Sequence, residues 1–163
     1  MEYVLVKRDK GSQPINIINL DENFEILIKK LNPFSFKFKG LIANIYWWLI
    51  SKKSWIIYVR EKGSKKIASF SYVLGKSYKF PFMEKGELQI GPSFTYPEFR
   101  RKGLFKSSVQ FILKKFEADG FEMIGIARPE NLSSLNCLYG LGFIKKSKCW
   151  KNKAKIYSLV KDE

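Results

Sequence analysis

The segment from Glu87 to Ala127 constrains this chain more than any other. Residues 87–95 (ELQIGPSFT) carry a strand pattern, residues 104–118 an amphipathic helix, and residues 121–127 (FEMIGIA) a second strand. Within the helix, Leu104, Phe105, Ser108, Phe111, Ile112 and Phe116 recur at spacings of three and four. They share one face, and lysines hold much of the other. Gly120 stops the helix. A helix with one apolar stripe, set between two strands, has to lay that stripe on a sheet, so a mixed α/β domain is expected. Gly91-Pro92 interrupts the first strand. Proline cannot donate to a ladder, which predicts a bulge or a splayed edge at that point.

The flanking sequence fills out one domain spanning 1–163, with no repeat, linker or low-complexity tract. Residues 2–7 read as an edge strand. Asp21 reads as the cap of a helix with Phe24, Ile26, Leu27 and Leu31 as its apolar positions, closed by Asn32-Pro33. Residues 40–51 read as a helix apolar nearly all round, hence largely buried. Residues 55–60 and 67–74 form a hairpin about Gly63. A short helix over 131–141 is closed by Gly142, and 143–150 with 155–160 make a last hairpin. About seven strands in a mixed sheet, with helices on both faces, are expected.

Composition removes several chemistries. The chain has no histidine and two cysteines, Cys137 and Cys149. Ser-His-Asp and Cys-His catalysis, His-ligated zinc and Cys-only zinc are excluded, and no metal site is expected. Two reduced thiols in a cytoplasmic protein is the expected state. Thirty Lys+Arg against fifteen Asp+Glu give a net charge of +15, which attracts polyanions. The N-terminal sequence lacks the apolar stretch and cleavage site of a secretory signal. The longest apolar run, LIANIYWWLI, reaches about half a bilayer.

The loop between the strand and the long helix has the physics of an anion site. It holds Arg100, Arg101, Lys102 and Gly103, and the helix begins immediately. The first N–H groups of a helix have no internal partners and carry partial positive charge. A glycine lets a phosphate approach the backbone closely. A diphosphate suits such a place.

Two motifs now combine. The first is Thr95-Tyr96-Pro97 followed by Arg100-Arg101-Lys102-Gly103-Leu104-Phe105. The second, about 30 residues on, is Asn131-Leu132-Ser133-Ser134 opening a helix that ends in Leu141-Gly142-Phe143. In order, spacing and element context they resemble the GNAT superfamily of acyl-CoA-dependent N-acyltransferases. The run from Ile90 to Gly103 resembles bacterial members that acetylate amino sugars of surface glycans.

The resemblance implies acetyl-CoA as cosubstrate. It places the pyrophosphate at the backbone of Arg101, Lys102, Gly103, Leu104, Phe105 and Lys106, beside Arg100. It pairs the pantetheine arm with the backbone of Ser93, Phe94 and Thr95. It opens a V-shaped cleft between strands 87–95 and 121–127, faced by Asn131, Ser134 and Leu138. Phe105 departs from the family's Gly or Ala, and Leu138 stands where a tyrosine often protonates the leaving thiolate. The implied reaction is direct attack of a small-molecule primary amine on the thioester.

Without histidine the base must be a carboxylate or a water relay. Glu87 is the first candidate base, with Gln89 orienting water. Both share a strand face with Ser93 and Thr95 if pairing is regular, and Gly91-Pro92 can change that parity. Tyr139 is the candidate acid and Tyr157 a remote second. Arg128 could meet an anionic substrate or the cofactor's 3′-phosphate.

Three competing readings remain at this stage. One is a nucleic-acid-binding module resting on the charge and on the Phe-Lys alternation of residues 34–39. Another is peripheral membrane contact through the aromatic segment 34–55. The third is a CoA-binding relative without activity. No nucleic-acid partner is expected, and either a monomer or a homodimer fits.

Overall fold

The computed structural model describes residues 1–9, 11–15, 18, 20–32, 41–51 and 53–160, the side chains of 41–44 excepted. The elements in chain order are β1 (Glu2–Arg8), β2 (Phe24–Lys30), α1 (Leu41–Ile50), β3 (Ser54–Glu61), β4 (Ile67–Gly75), β5 (Glu87–Thr95), a 3-10 turn (Pro97–Phe99), α2 (Leu104–Ala118), β6 (Glu122–Ala127), α3 (Leu132–Tyr139), β7 (Phe143–Lys151) and β8 (Tyr157–Leu159). They build one α/β domain. Its eight strands form a single sheet in the order β2-β3-β4-β5-β6-β1-β7-β8. Only β5 and β6 run parallel, as the helical crossover between them requires; every other neighbouring pair is antiparallel.

The eighth strand replaces a helix expected from the sequence. Phe24–Lys30 is β2, paired along its whole length with β3 from Phe24↔Glu61 to Lys30↔Trp55. Asp21 is a turn residue, not a helix cap. Its carboxylate accepts the Asn23 N–H at 2.8 Å and its carbonyl accepts the Phe24 N–H at 3.0 Å. The spacing of Phe24, Leu27 and Leu31 fits a helix, but both sides of the strand find apolar cover. Ile26 and Ile28 pack on one core, Leu27 and Leu31 on the other. Tertiary pairing decides here.

The strand at residues 2–8 is not an edge either. It lies between β6 and β7, with Tyr3 and Leu5 in one core and Val6 in the other.

Helices cover both faces. On one, α2 and α3 bury Val109, Ile112, Phe116, Leu135 and Leu138 against strand residues such as Val73 and Leu88. Each such fully buried side chain contributes about 1.5–3 kcal/mol. On the other face, Trp47 of α1 and Phe80 and Met83 of the 76–86 loop cover Tyr72, Leu74 and Ile124. The expectation of a buried helix over 40–51 holds for Trp47; Trp48 and Leu49 face outward at 42% and 67% exposure. The Phe-Lys alternation of residues 34–39, and most of the aromatic segment before α1, lies outside the described residues. No helix among the described residues is long and apolar enough to cross a membrane.

Candidate active site

The site begins with the bulge in β5. On its β4 side, Leu74 faces Gln89 and Val73 faces Ile90, but Ser71 faces Ser93 and Phe70 faces Phe94. Gly91 and Pro92 together therefore oppose the single residue Tyr72. Gly91 takes φ +111°, which glycine alone adopts readily, and the Gly91–Pro92 peptide is cis.

The extra residue inverts the parity of the strand. Gln89 faces the α1 side together with Leu74, its partner across β4, whereas Ser93 and Thr95 turn to the α2 and α3 side. The expectation that Gln89 and Glu87 share a face with Ser93 and Thr95 is thereby corrected.

On its other side, β5 pairs with β6 from Glu87↔Glu122 only as far as Ile90↔Gly125. Both strands continue, β5 to Thr95 with β4 and β6 to Ala127 with β1. The sheet splits, and the V-shaped cleft expected from the sequence opens between them. The floor of the split is tight. A Cβ on Gly125 would stand 3.0 Å from Leu138 Cδ1 and 3.1 Å from Val6 Cγ2, so glycine lets α3 sit close to the diverging strand.

Two cavities meet at this split. The first, of about 630 Å³, lies on the α2 and α3 side, and Arg100, Arg101, Lys106, Thr95 and Cys137 are among its walls. The second, of about 350 Å³, lies on the α1 side, with Gln89, Trp47, Lys79, Arg128 and Tyr157 in its walls. Ser93, Phe105, Asn131 and Ser134 border both. A long ligand can therefore lie along one face of the sheet and pass its end through the split to the other.

The first cavity is built for an anion. The α2 ladder starts with the Ser107 N–H donating to Gly103 O at 3.0 Å, and no side chain caps the helix. The amides of Leu104, Phe105 and Lys106 precede that bond. Arg101 (φ 64°) and Gly103 (φ +69°) both adopt the left-handed region, which folds the loop round the helix start. Arg100 reaches back, its Nε donating to Thr95 O at 3.3 Å. Lys102 leaves the site: its ammonium lies over Phe24 and Phe99, at 5.3 and 5.8 Å from the ring centres. Asn131 caps α3, its Oδ1 accepting the Ser134 N–H at 3.3 Å.

The residues expected to carry proton transfer separate. Glu87 lies at the start of β5, four residues before the bulge, and is absent from the walls of both cavities. Its carboxylate accepts from Lys7 Nζ at 2.6 Å and from the Glu84 N–H at 2.8 Å, and Lys7 holds Glu122 at 2.6 Å as well. Burial would lower the Lys7 pKa, but its bonds to Glu122 and Glu87 outweigh that and hold it above the ordinary lysine value. Tyr139 ends α3 at 40% exposure, outside both cavities.

Gln89 does reach the second cavity. Its Nε2 donates to Ile90 O at 3.0 Å, which orients the amide and leaves Oε1 buried without a partner. Tyr157 is there too, stacked on Phe80 at 5.2 Å and edge-on to Tyr3 at 5.1 Å. Burial and the neighbouring Tyr3 push its phenol up, so it stays protonated at neutral pH. Leu138 presents an apolar wall to the same cavity.

Tyr3, Trp47, Lys79 and Lys151 also line this cavity, and nothing in the local sequence marks them. They come from β1, α1, the 76–86 loop and β7, and only the finished sheet brings them together.

No family model and no curated protein matches the sequence. Solved structures do match the fold. A GCN5-related N-acetyltransferase from Sphaerobacter thermophilus superposes with a TM-score of 0.66 at 12% identity, covering 90% of this chain and 49% of that one. A GNAT-family acetyltransferase from Colwellia psychrerythraea gives 0.62 at 15% identity, covering 88% and 52%. A tandem GNAT protein of the clavulanic acid biosynthesis pathway gives 0.64 at 9% identity, covering 90% and 51%. The chain spans about half the length of these structures. Likeness at such identities establishes the fold, and the fold is that of the GNAT acetyltransferases.

Proposed function

We propose that this chain is an acyltransferase that moves the acetyl group of acetyl-CoA to a primary amine of a small molecule, an amino sugar being the acceptor its strand-loop sequence most resembles. The observation that carries this reading is the parallel β5–β6 pairing that stops at Ile90↔Gly125 beside an uncapped helix start.

The donor set fits the cosubstrate. The amides of Leu104 to Lys106, with Arg100, Arg101 and Lys106, meet a pyrophosphate on one face of the sheet. The β5 backbone at Ser93–Thr95 has no strand on its split side among the described residues, so it offers hydrogen-bonding groups to the pantetheine arm. Acetyl-CoA supplies a thioester whose acyl carbon an amine attacks directly.

The chain's own groups then do the following. A β5 backbone N–H beyond the bulge donates to the thioester carbonyl oxygen and favours attack. Gln89 Oε1, the unpartnered acceptor, holds a hydrogen of the incoming amine or of a water that takes its proton. No carboxylate lines either cavity among the described residues, so water carries that proton out. Tyr157 is the protonated hydroxyl on the acceptor side that can donate to the departing sulfur. Tyr139 and Glu87 have no part in this scheme.

The test is release of free CoA thiol from acetyl-CoA with a panel of primary amines, amino sugars included. Amine-dependent release above the rate of hydrolysis is expected. Release that no amine accelerates overturns the reading.

A further inference from the structure

Among the described residues, the second cavity is lined by three cations and no acid. Lys79, Arg128 and Lys151 line it, no Asp or Glu among the described residues does, and none of the three forms an ion pair with a described residue. Lys79 is only 7% exposed. Its ammonium rests over Tyr46 and Trp47, 4.5 and 4.7 Å from the ring centres. Lys151 lies over Tyr3 and Tyr157 at 5.9 and 5.4 Å. Aromatic faces relieve part of the cost of burying a cation and leave its charge without a counter-ion. Burial accordingly pushes the Lys79 pKa down, as happens to an ammonium short of a counter-ion.

The phosphates of the cosubstrate do not account for these charges. Arg100, Arg101 and Lys106 already serve the first cavity on the opposite face of the sheet. Gln89 adds an independent sign of a ligand on the acceptor side, since its Oε1 is buried with no donor while the residue is 4% exposed.

We propose that the acceptor is an amine that also carries an anionic group, carboxylate or phosphate, with the anion held by Lys79, Arg128 and Lys151 and the amine at Gln89 Oε1. This rests on the acyl-transfer reading and adds the charge of its substrate. Once the anion is seated, the three cations fix the acceptor's orientation and leave its amine beside the split in the sheet. A cationic acceptor such as a polyamine meets the same three charges and is repelled.

Matched pairs of amines test this: ethanolamine with phosphoethanolamine, glucosamine with glucosamine 6-phosphate, and tyramine with tyrosine. The first two pairs report phosphate and the third carboxylate. Thiol release gives kcat/KM for each member, and calorimetry with CoA present gives its affinity. At least one anionic member should exceed its neutral partner by tenfold or more, since a hydrogen bond to a charged group contributes about 1.5–3 kcal/mol. Lys151→Gln and Arg128→Gln should each shrink that ratio.

If the neutral members react as well as the anionic ones, the charge assignment falls and acyl transfer stands. If no amine releases thiol, acyl transfer falls and calorimetry alone judges the cavity. Preferential binding of an anionic member supports the assignment there, and equal or absent binding overturns it.

Discussion

Replacing Glu87 by glutamine separates a structural carboxylate from a catalytic one. Glu87 accepts two hydrogen bonds, from Lys7 Nζ at 2.6 Å and from the Glu84 N–H at 2.8 Å. A glutamine has one oxygen for these two donors, and its own N–H then meets a donor. The lost charge-assisted bond is worth about 1.5–3 kcal/mol. Two effects offset part of it: Lys7 keeps Glu122 at 2.6 Å, and the repulsion between Glu87 and its cross-strand neighbour Glu122 disappears. The net expectation is a loss of about 1–2 kcal/mol in urea unfolding. At about 2–4 °C per kcal/mol for a chain of this size, Tm falls by roughly 2–8 °C. Turnover below the transition should stay within about threefold of the original. The carboxylate sits four residues from the bulge, about 13 Å along an extended strand and far beyond hydrogen-bond reach of the split. A general base contributes about 10²–10⁴-fold. A fall of a hundredfold in kcat with a shifted pH profile, in a variant as stable as the original, refutes this placement of Glu87.

Further tests address the packing and the two cavities. Gly125→Ala forces its Cβ against Leu138 and Val6, and should cost about 1–3 kcal/mol by urea titration; no loss means that α3 does not press on the diverging strand. Gly142 has φ +82°, and a Cβ there would collide with the Arg8 guanidinium, which donates to Leu141 O and, at 2.7 Å, to Gln13 O. Gly142→Ala should therefore destabilise by more than about 3 kcal/mol, against about 1–2 kcal/mol for Gly86→Ala, whose φ of +99° opens on empty space; equal losses contradict the contact. Cys137 lines the first cavity and burial raises its pKa, so N-ethylmaleimide should label it slowly and saturating CoA should slow it several-fold further; unaltered labelling places CoA elsewhere. Burial pushes the Cys149 thiol up to about 11 from 9.0. The native state holds that proton longer than the unfolded chain, so the thiol's contribution, of order 2 kcal/mol, is complete below pH 9 and lost as pH rises towards 11. Urea titrations of Cys149→Val should show a shallower alkaline decline, and an identical slope removes this thiol from it.

The middle of the fold was legible because its punctuation is local. Gly103 and Gly120 bracket α2, its apolar spacing is regular, and Gly91-Pro92 marks the bulge where the sheet splits. The first thirty residues were harder to read for a physical reason. At Phe24–Lys30 both strand faces find apolar cover, so the pattern fits two periods, and the choice is made by β3, which arrives some 30 residues later. Residues 2–7 read as an edge because the strands that enclose them, β6 and β7, come more than a hundred residues on.

The candidate site divides in the same way. Its cosubstrate side is one strand, one loop and two helix starts, all close in sequence. Its acceptor side draws Tyr3, Lys79 and Lys151 from three distant segments, whereas Gln89, Arg128, Leu138 and Tyr157 stood out beforehand. The place of Glu87 was not legible, because one extra residue at Gly91-Pro92 changes which face its strand neighbours occupy, and because Lys7 approaches it from another strand.

The most direct measurement is calorimetric titration of acetyl-CoA into the protein at low and at high salt. One-site binding is expected, and it should weaken as salt rises, because Arg100, Arg101 and Lys106 supply much of the attraction. No heat and no thermal shift at millimolar acetyl-CoA would contradict the claim that the split between β5 and β6 grips a pyrophosphate-bearing thioester.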